Sequence, residues 1–176
     1  MDIKKKNKLT PLSFLAFILL FAWLLLLFLT PFTQTPQTIS LGNNGMVSVM
    51  DNTPYIKNNI KNPISRGVYF SGDFMCHQHA DRSFFLNGNQ MAYCARCTGI
   101  FLGMAFGAFI GSLFKLRIGF SLYIIVILPL VLDGLLQLFT SYESSNLIRI
   151  VTGTLAGTFT SFVFYYVFQN SPLSGK

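Results

Sequence analysis

Soft ligands are confined to one stretch of this chain. All three cysteines and both histidines lie between Cys76 and Cys97: Cys76, His77, His79, Cys94 and Cys97. Cys94-x-x-Cys97 is the spacing at which a tight turn chelates one ion or closes a reactive disulfide. Cys76-x-x-His79, read with that pair, gives a Cys₃His frame of the kind zinc takes tetrahedrally, and iron is a further candidate. A c-type haem is excluded, because Thr98 and not histidine follows Cys97. The plain alternative is that the thiols are small buried hydrophobes. Their place in a polar loop and at the start of an apolar span argues against it.

A second set of chemistry-bearing residues lies in apolar surroundings. Asp133 and Gln137 stand one helical turn apart, with Asp133 roughly 10 Å inside its span. A carboxylate at that depth is expensive and marks a functional site by default. Arg149 opens the following span behind an N-cap at Ser145 or Asn146. The spacing predicts an Asp133–Arg149 pair, serving either as a structural lock or in a substrate role. Arg82 and Arg96 add two cations beside the cysteines. Asp133, Gln137, Arg149, Arg82 and Arg96 are therefore the candidate catalytic residues.

The elements that must position these groups are membrane helices. Hydrophobic residues make up 52% of the chain and charged residues only 11%, with 19 phenylalanines, far from the balance of a soluble domain. The formal net charge of +7 sits at segment ends rather than in a patch, so it reads as topology and not as a nucleic-acid surface. An unbroken apolar run covers 12–29, about 27 Å of helix, enough to cross a bilayer core. A cleavable signal peptide would have a shorter core and a small-x-small site. This run ends in Thr30-Pro31-Phe32, so an uncleaved anchor is expected. Further spans are expected at about 98–114, 119–140 and 147–168. Gly99, Gly103, Gly107 and Gly111 recur every fourth residue and define a close-packing seam, echoed by Gly153, Gly157 and Ser161.

The polar stretch 31–95 reads as one long loop without a helix of its own. Met46 to Met50 is a short alternating stretch. Residues 82–86 and 90–94 flank Asn87-Gly88-Asn89, a hairpin signal that sets Arg82 opposite Tyr93 or Cys94. The expected fold class is thus all-α membrane: a four-transmembrane-helix bundle with an extracytoplasmic loop carrying a small β-hairpin. Its parts are an anchor helix at 1–30, the loop at 31–95, a three-helix bundle at 96–168 and a cytoplasmic tail at 169–176. The positive-inside rule sets both termini in the cytoplasm of a cell whose cytoplasmic membrane the chain crosses, with the cysteines at the outer face.

The motifs Cys76-His77-Gln78, Arg82-Ser83-Phe84, Cys94-Ala95-Arg96-Cys97-Thr98-Gly99, Asp133-Gly134 with Gln137, and Asn146 with Arg149 and Gly153 resemble a prokaryotic family of small membrane proteins. That family is known as domain of unknown function 2085. The resemblance covers about residues 70–165 and implies that these polar residues form the family's common set. It supplies no activity. It also implies His77 as the ligand beside Cys76, whereas spacing alone favours His79. With His77 taken on the resemblance, the expected metal set is Cys76, His77, Cys94 and Cys97, and zinc, read from the spacing, is the expected cofactor.

Three functions follow. The first is a metal-dependent membrane protein whose arginines and buried acid act on a lipid or isoprenoid-like anionic headgroup. The second is a quinone-linked thiol–disulfide oxidoreductase using the C-x-x-C, although such enzymes generally carry a second cysteine pair and only Cys76 remains. The third is a non-enzymatic binding or assembly component. Sequence leaves open whether the protein is an enzyme, and also its oligomeric state. The bilayer is the one partner it names outright.

Overall fold

The computed structural model describes residues 2–5, 11–43, 45–117 and 119–170. In chain order these form β1 (Asp2–Lys5), α1 (Pro11–Leu29), α2 (Thr53–Asn59), α3 (Pro63–Met75), β2 (Ser83–Leu86), β3 (Asn89–Cys94), α4 (Ala95–Leu113), β4 (Phe114–Arg117), α5 (Phe120–Phe139) and α6 (Asn146–Asn170). Lys6 and Lys8 of the basic start, and all of the expected cytoplasmic tail beyond Asn170, lie outside the described residues.

Among the described residues four helices are long and apolar enough to cross a membrane: α1, α4, α5 and α6. Their bounds fall within a few residues of those expected from hydropathy. The glycine period builds the central seam. A Cβ at Gly99, Gly103 or Gly107 would meet the carbonyl oxygen of Ile150, Thr154 or Thr158 on α6, and one at Gly111 the ring of Tyr165. From the other side, Gly153 and Gly157 sit against the carbonyls of Arg96 and Ile100. Backbone meets backbone on α4 from Arg96 to Gly107, and this sets Arg96 level with the first turn of α6. Ser145 is the N-cap of α6: its Oγ accepts from the Ile148 N–H at 3.3 Å. Helix α5 presents most of its surface outward; Leu138 and Phe139 are among its most exposed residues.

Strand β1 pairs antiparallel with β4, Ile3 opposite Leu116 and Lys4 opposite Lys115. The basic start and the α4–α5 connection therefore share one end of the bundle. The cysteine stretch lies at the other end of α4, about 28 Å away at 1.5 Å per residue.

The stretch 31–95 departs from the expected loop, because it contains α2 and α3. Asn62 caps α3, its Oδ1 accepting from the Ile64 and Ser65 N–H groups at 2.9 and 3.1 Å, with Pro63 in the first turn. The buried face of α3 is Ser65, Val68, Tyr69, Gly72 and Asp73, a helical period in which serine, glycine and aspartate stand where apolar residues would have signalled a helix. Asp73 is satisfied by the Asn52 N–H at 3.0 Å and the Thr53 hydroxyl at 2.7 Å, and so closes the start of α2. Met46 to Met50 is not a strand: residues 47–49 form a turn, with Ser48 and Met50 at φ 67° and 59°.

The hairpin forms with Asn87 and Gly88 both at positive φ, 55° and 72°, as a type I′ turn requires. Its register differs from the expected one. Leu86 opposes Asn89 and Phe85 opposes Gln90, but a bulge before Phe85 puts Ser83, not Arg82, opposite Cys94. The core of this region is Ile39, Ile56, Ile60, Val68, Tyr69, Ala92 and Tyr93, continuous with Leu27 of α1 and with Cys76. Trp23, Tyr93 and Phe101 meet edge to face beneath it, with centroids 5.1–6.4 Å apart, which ties the polar region to the ends of α1 and α4.

Candidate metal centre and polar cluster

Cys76 terminates α3, Cys94 ends β3 and Cys97 lies in the first turn of α4. The three sulfurs lie within 4.8 Å of one another, and all three cysteines are free thiols. The Cys94 N–H donates to Cys76 Sγ at 3.3 Å. A zinc tetrathiolate edge is about 3.5–4 Å, so the donor set, its convergence and its reduced state fit a soft metal ion. Among the described residues no histidine or carboxylate joins the three thiols in that group.

Electrostatics at the three sulfurs is uneven. Cys94 is the thiol held lowest, first by its hydrogen bond with Cys76, then by Cys97 and by the Cys97 and Arg96 backbone N–H groups, with burial opposing. The backbone donors are those of a helix start, where thiolates are favoured. The Cys76 thiol is pushed up, chiefly by its hydrogen bond with Cys94, with burial adding to it.

His77 is exposed and His79 half-buried, their rings edge to face at 5.8 Å. The His79 Nε2 bonds the Gly45 carbonyl at 2.9 Å, and its Nδ1 faces Asp81 at 3.9 Å. His77 is held below the ordinary imidazole range, first by partial burial of its ring and then by the charge of His79, with Arg82 and Arg96 adding and Cys94 opposing. It stands at the rim of the thiol group.

What positions Cys76 is a residue that spacing arguments pass over. Gln78 is fully buried at φ 49°. Its amide donates to the Tyr69 and Ala92 carbonyls, both at 2.9 Å, and accepts from Asn52 at 3.1 Å. Gln90 continues the network, donating to the Gln78 carbonyl at 2.7 Å and accepting from the Leu41 N–H at 2.7 Å. Asn89 accepts from the Thr38 and Ile39 N–H groups and donates to the Pro31 and Thr35 carbonyls. Three buried amides thus replace the regular ladder that the irregular segment 31–43 lacks. The sequence signal was the amide-rich text around the cysteines, with Gln78 inside the Cys-His-Gln motif. Gln78→Leu removes the bonds to the Tyr69 and Ala92 carbonyls and to the Asn52 amide, so we expect a loss of about 2–3 kcal/mol together with disordering of Cys76. Thermal unfolding of the purified variant, with thiol reactivity at 25 °C alongside, measures both.

The intramembrane acid has a different partner from the one expected. Arg96, not Arg149, pairs with Asp133 through Nη2, and the same nitrogen donates to Gln137 Oε1 at 3.0 Å. Arg96 leaves the first turn of α4 toward α5, while Arg149 turns back along α6 and donates to Asn146 Oδ1 at 3.0 Å. Asn146 in turn reaches the Asp81 and Ser83 carbonyls at 3.4 and 3.3 Å, so the α6 start is stitched to the approach to β2. Arg82 Nε is 3.5 Å from Asp81 Oδ2. All five predicted polar residues therefore gather at the thiol end of the bundle. Two clefts lie elsewhere: one of about 390 Å³ between α1, α4 and α6, lined by Leu19, Leu20, Met104 and Phe164 among others, and one of about 330 Å³ along α1 and α4. Neither is lined by a cysteine, histidine or charged residue.

Fold and site define a class: a membrane protein with four apolar helices and a cysteine cluster that can bind a metal. The particular family follows from comparison. The family of predicted membrane proteins DUF2085 matches residues 76–163, and the chain belongs to it. An uncharacterised protein of Methanocaldococcus jannaschii is 40% identical over 99 residues, 53% of this chain and 64% of its own length. One from Methanothermobacter thermautotrophicus is 35% identical over 89 residues, 48% of this chain and 78% of its own. The chain thus spans about two thirds of the first relative's length. No solved structure matches it. The matched family segment begins at Cys76 and takes in all three thiols, Arg96, Asp133, Gln137 and Arg149.

Proposed function

We propose that the protein is a multi-pass protein of the cytoplasmic membrane that holds zinc on Cys76, Cys94 and Cys97 at its outer face, beside a polar cluster that receives an anionic lipid or isoprenoid-like headgroup. The observation that carries this reading is the convergence of three free thiols within 4.8 Å, at the end of the bundle where Arg96, Asp133 and Gln137 interact. With His77, at the rim, in the fourth position a bound zinc would be closed and structural; with that position left to an exchangeable ligand it would supply Lewis acidity and an activated water. Asp133 and Gln137 hold the Arg96 guanidinium in place.

A second reading is a thiol relay. Cys94 starts a helix, with Cys76 and Cys97 both in reach, and a disulfide between any two would leave the third as the attacking thiol. One measurement separates the two. Metal analysis of the purified protein with a parallel count of free thiols is expected to give one zinc and three thiols per chain. No metal, with one thiol and one disulfide, would hand the site to the relay.

For orientation, the basic start and the α4–α5 connection share one end of the bundle, and the positive-inside rule supports that end as cytoplasmic. Cysteines introduced at Asn59 and Lys115 in a Cys-free background are expected to react from opposite sides with a membrane-impermeant maleimide. Labelling of both from the same side would remove this topology.

A further inference from the structure

The arginines near the thiols are arranged as if for an anion that protein atoms do not supply. Arg149 is 4% exposed, yet among the described residues its guanidinium bonds only the neutral Asn146 amide. Among the described residues it makes no ion pair. A buried guanidinium without a counter-anion is among the costliest groups a fold can keep. Among the described residues the Nε atoms of Arg96 and Arg149 are buried without a hydrogen-bond partner, and that of Arg82 has only the 3.5 Å approach of Asp81 Oδ2. Two carboxylates serve the cluster: Asp81 beside Arg82 and Asp133 on Arg96. Neither reaches Arg149.

Each guanidinium arrives from a different element: Arg82 from the turn before β2, Arg96 from α4 and Arg149 from α6. Gly153 against the Arg96 carbonyl and Gly99 against Ile150 bring the last two turns into register. We propose that Arg82, Arg96 and Arg149 form a binding site for a phosphomonoester-type group. Three guanidinium groups on three elements, tied together by Asn146 on the Asp81 and Ser83 carbonyls and by Gly153 against the Arg96 carbonyl, suit a group with three terminal oxygens better than a planar carboxylate with two. Asp133 Oδ1 and Gln137 Nε2, also buried and unpartnered, add an acceptor for a protonated phosphate oxygen and a donor for a charged one. This deepens the lipid-headgroup reading and rests on it, but it does not require the metal.

The test uses the full chain, with metal content measured on every sample. Inorganic phosphate is titrated by calorimetry into protein in maltoside micelles, which contain no phosphate. Nanodiscs of phosphatidylcholine, with and without phosphatidic acid, carry the lipid arm. Saturable binding is expected in at least one arm. Arg149→Gln and Arg82→Gln should each weaken it about tenfold or more, while Lys57→Gln, on the exposed side of α2, leaves it unchanged. Phosphate binding in micelles names the free ion as a ligand; binding of phosphatidic acid alone names the headgroup. If Arg149→Gln does not elute as folded protein, Arg82→Gln decides. Absence of binding in both arms, or binding that survives both arginine substitutions, overturns the site. So does binding that is lost on chelation but indifferent to the arginines, since phosphate would then be sitting on the metal. A metal-free chain that still binds phosphate through these arginines would sink the zinc reading and leave this one standing.

Discussion

Serine at any one of positions 76, 94 or 97 is expected to lower zinc affinity by more than about a hundredfold, the upper end of what loss of an outer-shell partner costs. The reason is geometric. The three sulfurs come from the end of α3, the end of β3 and the first turn of α4, so one ion would cross-link elements that are otherwise joined through Gln78 and Gln90. Removing one thiolate removes a ligand and a cross-link together. His77→Ala should cost less, about tenfold, because its ring lies at the rim and outside the 4.8 Å group. A chelator competition series on the four variants reads all of this. Equal losses for His77→Ala and Cys97→Ser would make His77 a full ligand. No loss for any cysteine variant would remove the metal centre.

Asp133→Asn is expected to destabilise the protein by about 3 kcal/mol, the lower range for breaking a buried ion pair from one side. Asp133 is 5% exposed and holds Arg96, which is 25% exposed and keeps some access to water; that lowers the figure from the fully buried case. The substitution leaves the Arg96 charge facing a neutral amide and loosens α5, whose remaining surface is largely outward. Glu143→Gln, in the exposed α5–α6 connection, should stay within about 0.5 kcal/mol. Thermal unfolding of both in the same detergent makes the comparison. Arg149→Gln should not reproduce the Asp133→Asn effect through this pair, since Asp133 is bound by Arg96. Matching effects, with coupling in the double variant, would restore the Asp133–Arg149 pairing that spacing suggested.

The places where sequence reasoning failed share a cause. α2 and α3 were hidden because buried positions on α3 are Ser65, Gly72 and Asp73, satisfied by partners as far away as Asn52. A polar residue reads as solvent-facing until its distant partner is known. Arg149 looked like the mate of Asp133 because it starts the adjoining span. A side chain's direction off a helix is not written in spacing, and the partner is Arg96, from the first turn of α4, more distant along the chain than Arg149. The hairpin register slipped because a bulge between Ser83 and Phe85 leaves no mark in an alternation only four residues long.

Sequence by itself determined the four spans, the glycine seam, the Asn87-Gly88 turn and the gathering of thiols with arginines at one end. Each rests on a local rule: hydropathy over a helix length, a four-residue period, a backbone angle or the order of segments along the chain. Tertiary structure alone decided that α4 packs on α6, that Arg96 holds Asp133, that His77 stands outside the thiol group, and that buried amides at Gln78, Asn89 and Gln90 bind an irregular segment into a core. Those are long-range pairings, in which a polar atom's energy depends on which distant partner removes its desolvation cost, and no window along the chain contains that partner.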